Sequence, residues 1–311
     1  MKYYLGIDIG SVTLKIVICD ENGDVQDVII NRTHGDLFAT LQKSLASIYK
    51  EKYEIIDGVG ATGSARVLIG QIIGADIIKN EITAQWKAVS HIVPDVKTII
   101  EIGGQDSKLI RLEKGIMTDF AMNTVCAAGT GSFLDQQANR LQLSIEQISN
   151  IALTSQKASN ITGRCTIFAE SDMIQKQQVG ESIADILHGL CDTLARNYIN
   201  NLAKDAALLS PITFVGGVAA NKAIVRSFEK ILHDKIIVPR EHAYTGAYGM
   251  ALLAKEQHIK KSKFPGWNIK DEKFKTEYFT CKDCDNNCQI VKIKSGGKIL
   301  GHLGSRCQKY L

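Results

Sequence analysis

In the stretch NTVCAAGTGSFLDQQANRL, residues 123–141, Cys126 is separated by two alanines from Gly129-Thr130-Gly131, and an amphipathic helical run starts behind that turn. In GRCTIFAESDMIQKQQVG, Cys165 likewise stands just before a helical run. A helix N-terminus carries partial positive charge and unpaired N–H groups, which stabilise a thiolate or an anionic group bound to it. A Gly-rich turn feeding a helix is also where a backbone can hold phosphate. Thiol chemistry and phosphate chemistry therefore share one piece of chain. A cysteine by itself is more often a small buried hydrophobe. Cys19, on the apolar alternation of KIVIC, and Cys191, in HGLCDTLARNYI, fit that plainer role.

The phosphate side of the argument rests on a repeat. YYLGIDIGSVTLKIVICDENGDV has the alternation of two strands around a tight turn, with ENGD as the next hairpin turn. TIIEIGGQDSKLIRLEKGIMTDF repeats the pattern 93 residues later. Aligned without gaps, Asp8 meets Glu101, Gly10 meets Gly103, Ser11 meets Gly104 and Lys15 meets Lys108. Either copy alone is an ordinary hairpin. Two copies with acid, glycine and lysine in register point to phosphate held by bare backbone, with a carboxylate placed for Mg²⁺. A third signal is PITFVGGVAANKAIV, where a strand ends at Gly216-Gly217 and a helix begins near Ala219, with Asn221 in its first turn. That shape suits a nucleoside lying on backbone. GATGSAR, 60–66, is a weaker Gly turn before a helix. No Walker A pattern occurs, and the first strand lacks the G-x-G-x-x-G of a dinucleotide fold.

The elements that carry these motifs belong to a chain of 311 residues, 45% apolar and only 6% aromatic, with a net charge of +4. That is room for two domain-sized units. No basic stripe with interleaved aromatics argues for nucleic acid, and no run approaches the ~20 apolar residues needed to span a bilayer. MKYYLGIDIG runs straight into a strand pattern without a signal peptide. The expectation is a cytoplasmic protein with neither nucleic-acid nor membrane partners, whose eight cysteines are ligands, redox groups or buried thiols rather than disulfides.

Beyond the helical run AYGMALLAKEQHI the composition shifts. KKSKFPGWNIKDEKFK is basic and polar and is expected as a linker or surface strap over 258–277. Residues 278–311 follow with the spacing C-x2-C-x3-C-x18-C, made of Cys281, Cys284, Cys288 and Cys307. Two short strands, QIVKIK and KILGHL, flank an SGGK turn that would return the fourth cysteine to the first three. A module of about 30 residues with so little core needs a staple. Four cysteines suit Zn²⁺ or an iron–sulfur cluster, and the spacing does not choose between them.

Two phosphate hairpins in related halves, followed by a Gly-Gly turn, resemble the actin/Hsp70/sugar-kinase superfamily of ATPases. Within it, GIDIGS (6–11), EIGGQDSK (101–108), NTVCAAGTGSFLD (123–135), GRCTIFAESD (163–172) and FVGGVAANK (214–222) resemble the activators of 2-hydroxyacyl-CoA dehydratases and the ATPase subunits of benzoyl-CoA reductase, over about residues 1–257. The resemblance implies an α/β, two-lobed, ribonuclease H-like fold. The first lobe would span 1–95 and be completed by a helix at about 243–257; the second would span 96–242. It implies Mg-ATP held by Gly10, Ser11, Thr13 and Lys15 on one side and Gly103, Gly104 and Lys108 on the other. Asp8 and Glu101 would set the metal, and Gln105 or Asp106 would orient the attacking water. Gly129 and Gly131 would touch phosphate, while Gly216, Gly217 and Asn221 would face the adenosine. It further implies a homodimer in which Cys126 and Cys165 of both copies share one [4Fe–4S] cluster, with ferredoxin or flavodoxin as donor. The acceptor would be an iron–sulfur enzyme: a dehydratase, an aryl-CoA reductase or a double-cubane cluster protein. One departure stands out: Ser64-Ala65 occupies a place where the family often has an aromatic, which loosens any role for Arg66. In this family, similar tails occur in longer relatives, so the chain is either a short relative or part of one.

Two other functions fit the same hairpins. A small-molecule kinase would need a substrate pocket with a base aspartate and would make no use of Cys126 and Cys165. A chaperone-like nucleotide switch would need a substrate-binding domain larger than this tail.

Overall fold

The structure, a computed structural model, describes residues 1–123, 127–163, 166–203, 208–307, 309 and 310. The chain divides into two compact units, Met1–Ala88 with Gly246–Leu311, and Val89–Thr245.

In the first unit, β1 (Tyr3–Ile9), β2 (Thr13–Asp20) and β3 (Val25–Arg32) form an antiparallel meander. The helix α1 (Leu37–Ile48) follows, capped by the Asp36 carboxylate, which accepts from the Ala39 N–H. β4 (Gly58–Thr62) adds parallel to β1, α2 (Arg66–Ile72) follows it, and β5 (Ile77–Ile78) closes the edge. The strand order is β3-β2-β1-β4-β5. The helix α3 (Glu81–Ile92) crosses the boundary into the second unit.

The second unit repeats this plan. β6 (Thr98–Ile102), β7 (Ser107–Glu113) and β8 (Ile116–Asn123) form its meander. Four helices follow: α4 (Gly131–Leu141), α5 (Ile145–Thr154), α6 (Thr166–Gln178) and α7 (Ile183–Leu202). β9 (Ile212–Val215) then adds parallel to β6, α8 (Lys222–Leu232) follows, and β10 (Ile236–Ile237) is the edge. The order β10-β9-β6-β7-β8 is the first sheet's order read from the other edge. The core of this unit includes Phe214, Phe228 and Tyr198, with ring centroids 5.3–5.4 Å apart and near-perpendicular planes.

The LGIDI alternation predicts one buried face, yet every residue of β1 is buried. The reason lies in α9 (Thr245–Glu256), whose backbone at Ala247 and Ala251 comes so close to Gly6 that a Cβ there would overlap it. Leu5, Ile7 and Ile9 face the core of the first unit, whereas Gly6 accepts the helix.

Residues 258–277 are not a free strap. Trp267 and Ile269 are buried in the first unit's core, and the Trp267 indole N–H donates to the Tyr53 carbonyl at 2.8 Å. Part of the expected linker is also strand: β11 (Phe274–Thr280) pairs with β12 (Gln289–Ser295), which pairs with β13 (Lys298–Leu303). The Pro-, Gly- and Lys-rich composition hid two aromatics, Phe264 and Trp267, that stack edge-to-face at 5.3 Å.

Candidate functional site

The two hairpins use the same bonds. In the first, Asp8 and Lys15 are cross-strand partners, and the Lys15 ammonium donates to the Asp8 carboxylate at 2.9 Å. The Gly10 N–H closes the turn onto the Thr13 carbonyl at 3.0 Å. In the second, Glu101 and Lys108 are cross-strand partners joined at 2.9 Å, and the Gly103 N–H closes onto the Asp106 carbonyl at 3.0 Å. Each pair of positions is 93 residues apart, so the sequence repeat is a repeat of geometry.

The copies differ in how firmly the lysine is held. Lys15 remains partly exposed, whereas Lys108 is buried between Glu101 and Asp106, each at 2.9 Å. Ser11 and Gln105 are exposed at their turns. Thr62, the register partner of Asp8, has a buried hydroxyl without a hydrogen-bond partner. Such an orphan is what a bound ligand or water would satisfy.

The second hairpin is tied to the helix behind Gly129-Thr130-Gly131. A helix leaves its first N–H groups without intrahelical acceptors. In α4 the Gly131 N–H donates to the Gly103 carbonyl at 2.9 Å, and the Ser132 N–H to the Gly104 carbonyl at 2.8 Å. Two side chains of α7 brace the same region. The Tyr198 hydroxyl donates to the Lys108 carbonyl at 2.6 Å, and the Asn197 amide to the Ala128 carbonyl at 3.4 Å. Burial, reinforced by the Glu101 charge, pushes the Tyr198 phenol well up, so it stays a donor.

The Gly-Gly turn refines its own expectation. Gly217–Ala220 is a short 3-10 turn, and Asn221 stands before α8 as its cap instead of inside the first turn. Its carbonyl oxygen accepts from the Ala223 and Ile224 N–H groups at 3.0 and 3.2 Å. Its amide nitrogen is buried without a partner. Gly216 has φ +93° and ψ 172°, and a Cβ there would overlap the Ile102 carbonyl. Gly63, φ +101°, stands in the same relation to Ile9, so GATGSAR is the first unit's copy of this turn. Gly217 has open space where its Cβ would be. His242 clasps the turn: its carbonyl accepts from the Gly216 N–H at 2.8 Å, and its Nδ1 lies 3.1 Å from the Gly216 carbonyl. Asn197, Tyr198 and His242 carry no motif that sequence reading could have used, and Thr62 lies in the weaker GATGSAR turn, where no sequence signal singles it out.

Cys126 and Cys165 lie outside the described residues, although α6 begins at Thr166, directly after Cys165. Cys19 and Cys191 are fully buried, and desolvation pushes both thiols up to about 12, consistent with structural roles. In the tail Cys281 and Cys288 are buried, and Cys284 and Cys307 are exposed. Among the described residues no three His, Cys, Asp or Glu side chains stand together as a ready metal site. No described helix is long and apolar enough to cross a membrane.

Comparison with known proteins agrees with this geometry. The chain is 35% identical over 258 residues to the 2-hydroxyisocaproyl-CoA dehydratase activator of Clostridioides difficile, covering 81% of this chain and 94% of that protein. It is 33% identical over 261 residues to the (R)-2-hydroxyglutaryl-CoA dehydratase activating ATPase of Acidaminococcus fermentans, covering 83% and 99%. The crystal structure of component A of the latter dehydratase superposes with a TM-score of 0.77 at 32% identity, over 84% of this chain and all of that one. A ROK family glucokinase from Streptomyces griseus, at 14% identity and TM-score 0.54, covering 82% of this chain and 99% of its own, shares the fold alone. A family model matches residues 5–254, leaving the tail outside it, and the chain belongs to the BadF/BadG/BcrA/BcrD ATPase family.

Proposed function

We propose that this chain is an ATP-dependent activator: it hydrolyses ATP and delivers one low-potential electron to a partner iron–sulfur enzyme of the 2-hydroxyacyl-CoA dehydratase kind. The observation that carries the reading is the pair of hydrogen bonds from Gly131 and Ser132 to Gly103 and Gly104. They fasten the second phosphate hairpin to the start of α4, five residues after Cys126. A shift of that hairpin on nucleotide binding or hydrolysis would therefore move the start of the helix that follows Cys126 in sequence. The kinase and chaperone-like readings make no use of Cys126, which precedes that helix in sequence.

The residues present fit a nucleotide. Lys15 and Lys108 would supply charge for phosphate, at turns whose Gly10 and Gly103 N–H groups are spent on closing them. Asp8 and Glu101 would orient the water shell of Mg²⁺. The buried Asn221 amide and the open face of Gly217 suit the nucleoside. Lys108 is shared by Glu101 and Asp106, so a phosphate oxygen drawing on Lys108 would release the half-exposed Asp106 to position water, with Gln105 beside it. In phosphoryl transfer such positioning and charge are most of what a protein contributes.

Cys126 and Cys165 are the residues that would hold a [4Fe–4S] cluster, two from each of two copies, with ferredoxin or flavodoxin as donor. The helices α4 and α6 start close behind them, and positive helix ends favour an anionic cluster. When bound, the cluster supplies one-electron transfer. The test is purification without oxygen. The native protein should be brown, contain iron and bleach in air, whereas Cys126→Ala should be colourless yet still bind and hydrolyse ATP. Iron retained in Cys126→Ala that also carries Cys281→Ser, Cys284→Ser, Cys288→Ser and Cys307→Ser would refute the cluster assignment.

A further inference from the structure

The family match ends at residue 254, and curated relatives at 94–99% of their own length leave about a sixth of this chain unmatched. The surplus is an ordered three-stranded sheet. Its inner end is fixed, because Ile293 is fully buried in the first unit's core and Leu300 and Leu303 pack against it. Its outer end is different. There, among the described residues, the buried ones are Cys281, Cys288 and Ile290, with Phe279 and Tyr310 packed around them. Two of the three are thiols, so this end has almost no apolar core of its own.

The strands bring Cys281 and Cys288 together at that end. β11 and β12 finish their ladder at Thr280 and Gln289, and the next rung is Cys281 and Cys288, joined by a Cys281 N–H to Cys288 carbonyl bond of 2.8 Å. Six residues hang between them. Within this loop the Asn287 N–H closes on the Cys284 carbonyl at 3.2 Å, and Asn287 takes φ +43°. The chain after β13 returns to the loop: the Lys309 ammonium and the Tyr310 hydroxyl both donate to Asp283, at 2.6 and 3.4 Å, and the Tyr310 ring meets Phe279 edge-on at 5.5 Å. Cys307 stands two residues before Lys309 on this returning segment, although no three of the four thiols stand together in the structure.

We propose that Cys281, Cys284, Cys288 and Cys307 bind a single zinc ion as four thiolates, closing the outer end of this appended sheet. Four thiolates around Zn²⁺ leave two net negative charges, and Lys282, Arg306 and Lys309 stand in sequence beside the ligands to balance them. A single ion suits the rung better than a cluster does. Zn–S bonds of ≈2.3 Å place tetrahedral sulfurs about 3.8 Å apart, and directly opposed residues on neighbouring strands have Cβ atoms about 5 Å apart. A four-iron cube holds its thiolates farther apart than that. In the structure Cys281 Sγ donates to Asp283 at 3.4 Å, and Cys307 Sγ lies 3.7 Å from the Ser305 hydroxyl. Zinc binding therefore requires the exposed Cys284 and Cys307 to turn inward. Asp283, still held by Lys309 and Tyr310, then supports the ligands from outside. The staple replaces the missing core. The inference stands apart from the ATPase reading, because these residues lie outside the family match.

The test uses the full chain carrying Cys126→Ser and Cys165→Ser, so that no iron from that pair is counted. Purified without oxygen and given Zn²⁺ alone, it should hold about one zinc per chain and no iron. Cys284→Ser and Cys307→Ser should each weaken zinc retention against a chromophoric chelator by at least about 10-fold, while Cys19→Ala should not. Zinc should also slow amide exchange across β11 and β12. A chain without zinc overturns the proposal, as does retention unchanged in both serine variants. Iron and sulfide in equal amounts would overturn it in favour of a cluster. Should the serine variants fail to fold, the zinc content of the parent and its exchange response decide alone.

Discussion

Gly216 and Gly217 are neighbours with opposite expectations under alanine substitution. At Gly216 the backbone sits at φ +93°, and an added methyl would overlap the Ile102 carbonyl on the adjacent strand. A side chain in this essentially glycine-only region costs about 1–3 kcal/mol, and forcing an extra carbon into packed backbone costs another ~1–3 kcal/mol. Gly216→Ala should therefore destabilise the second unit by about 2–6 kcal/mol. At Gly217 the φ is ordinary and nothing lies within 4 Å of the Cβ position. Gly217→Ala should change stability by less than about 0.5 kcal/mol. The open space is where the nucleoside is proposed to lie. A bulkier Gly217→Val should then leave the fold intact and weaken ADP binding by about 10–100-fold, the equivalent of ~1.4–2.8 kcal/mol. Hydrogen–deuterium exchange of the β6 and β9 amides reads the second unit locally, and calorimetric titration with ADP reads affinity. The reasoning fails if Gly216→Ala leaves exchange in β9 unchanged. It fails separately if Gly217→Val binds ADP as the parent does, because the open face then is not the nucleoside's.

Three further outcomes follow from burial and charge. Cys19 and Cys191, with thiols pushed to about 12, should resist iodoacetamide in the native protein at pH 8 while unfolded chain is labelled; peptide mass mapping reads this, and native labelling at the unfolded rate would contradict their burial. Burial holds the His188 imidazole below its ordinary value, so the folded state takes up its proton less readily than the unfolded chain. Stability from this group is present above the unfolded value of about 6.5 and is lost as pH falls below it; His188→Gln should shrink the difference in Tm between pH 7.5 and pH 5.5, and an unchanged difference would refute the assignment. Trp267→Ala removes a buried indole and its bond to the Tyr53 carbonyl, a loss of about 3–5 kcal/mol, and should expose the lysines of 260–275 to trypsin while the rest of the chain stays resistant.

The parts legible in the sequence were those where chemistry and backbone demand the same residues. Asp8, Gly10 and Lys15 mark a turn that must bend and carry charge, and Glu101, Gly103 and Lys108 mark it again. A gap-free offset was enough to see the duplication. The braces were not legible, because Tyr198 and Asn197 act from the far end of a long helix on carbonyls 90 and 69 residues away. Such bonds need only a donor at the right place in space, which no local pattern records. His242 is hidden for the same reason. The stretch 258–277 misled for another: its lysines dominate the composition, while two aromatics and one isoleucine decide where it packs.

The shared skeleton of the two hairpins has a consequence for how their chemistry can diverge. Two glycines, Gly10 and Gly103, and two main-chain closing bonds hold the chain path. The decorations between them are thus free to differ: Ser11 and Thr13 offer hydroxyls in one half, where Gly104 and Asp106 offer bare chain and a carboxylate in the other. One half can specialise in gripping and the other in triggering without either rebuilding its frame.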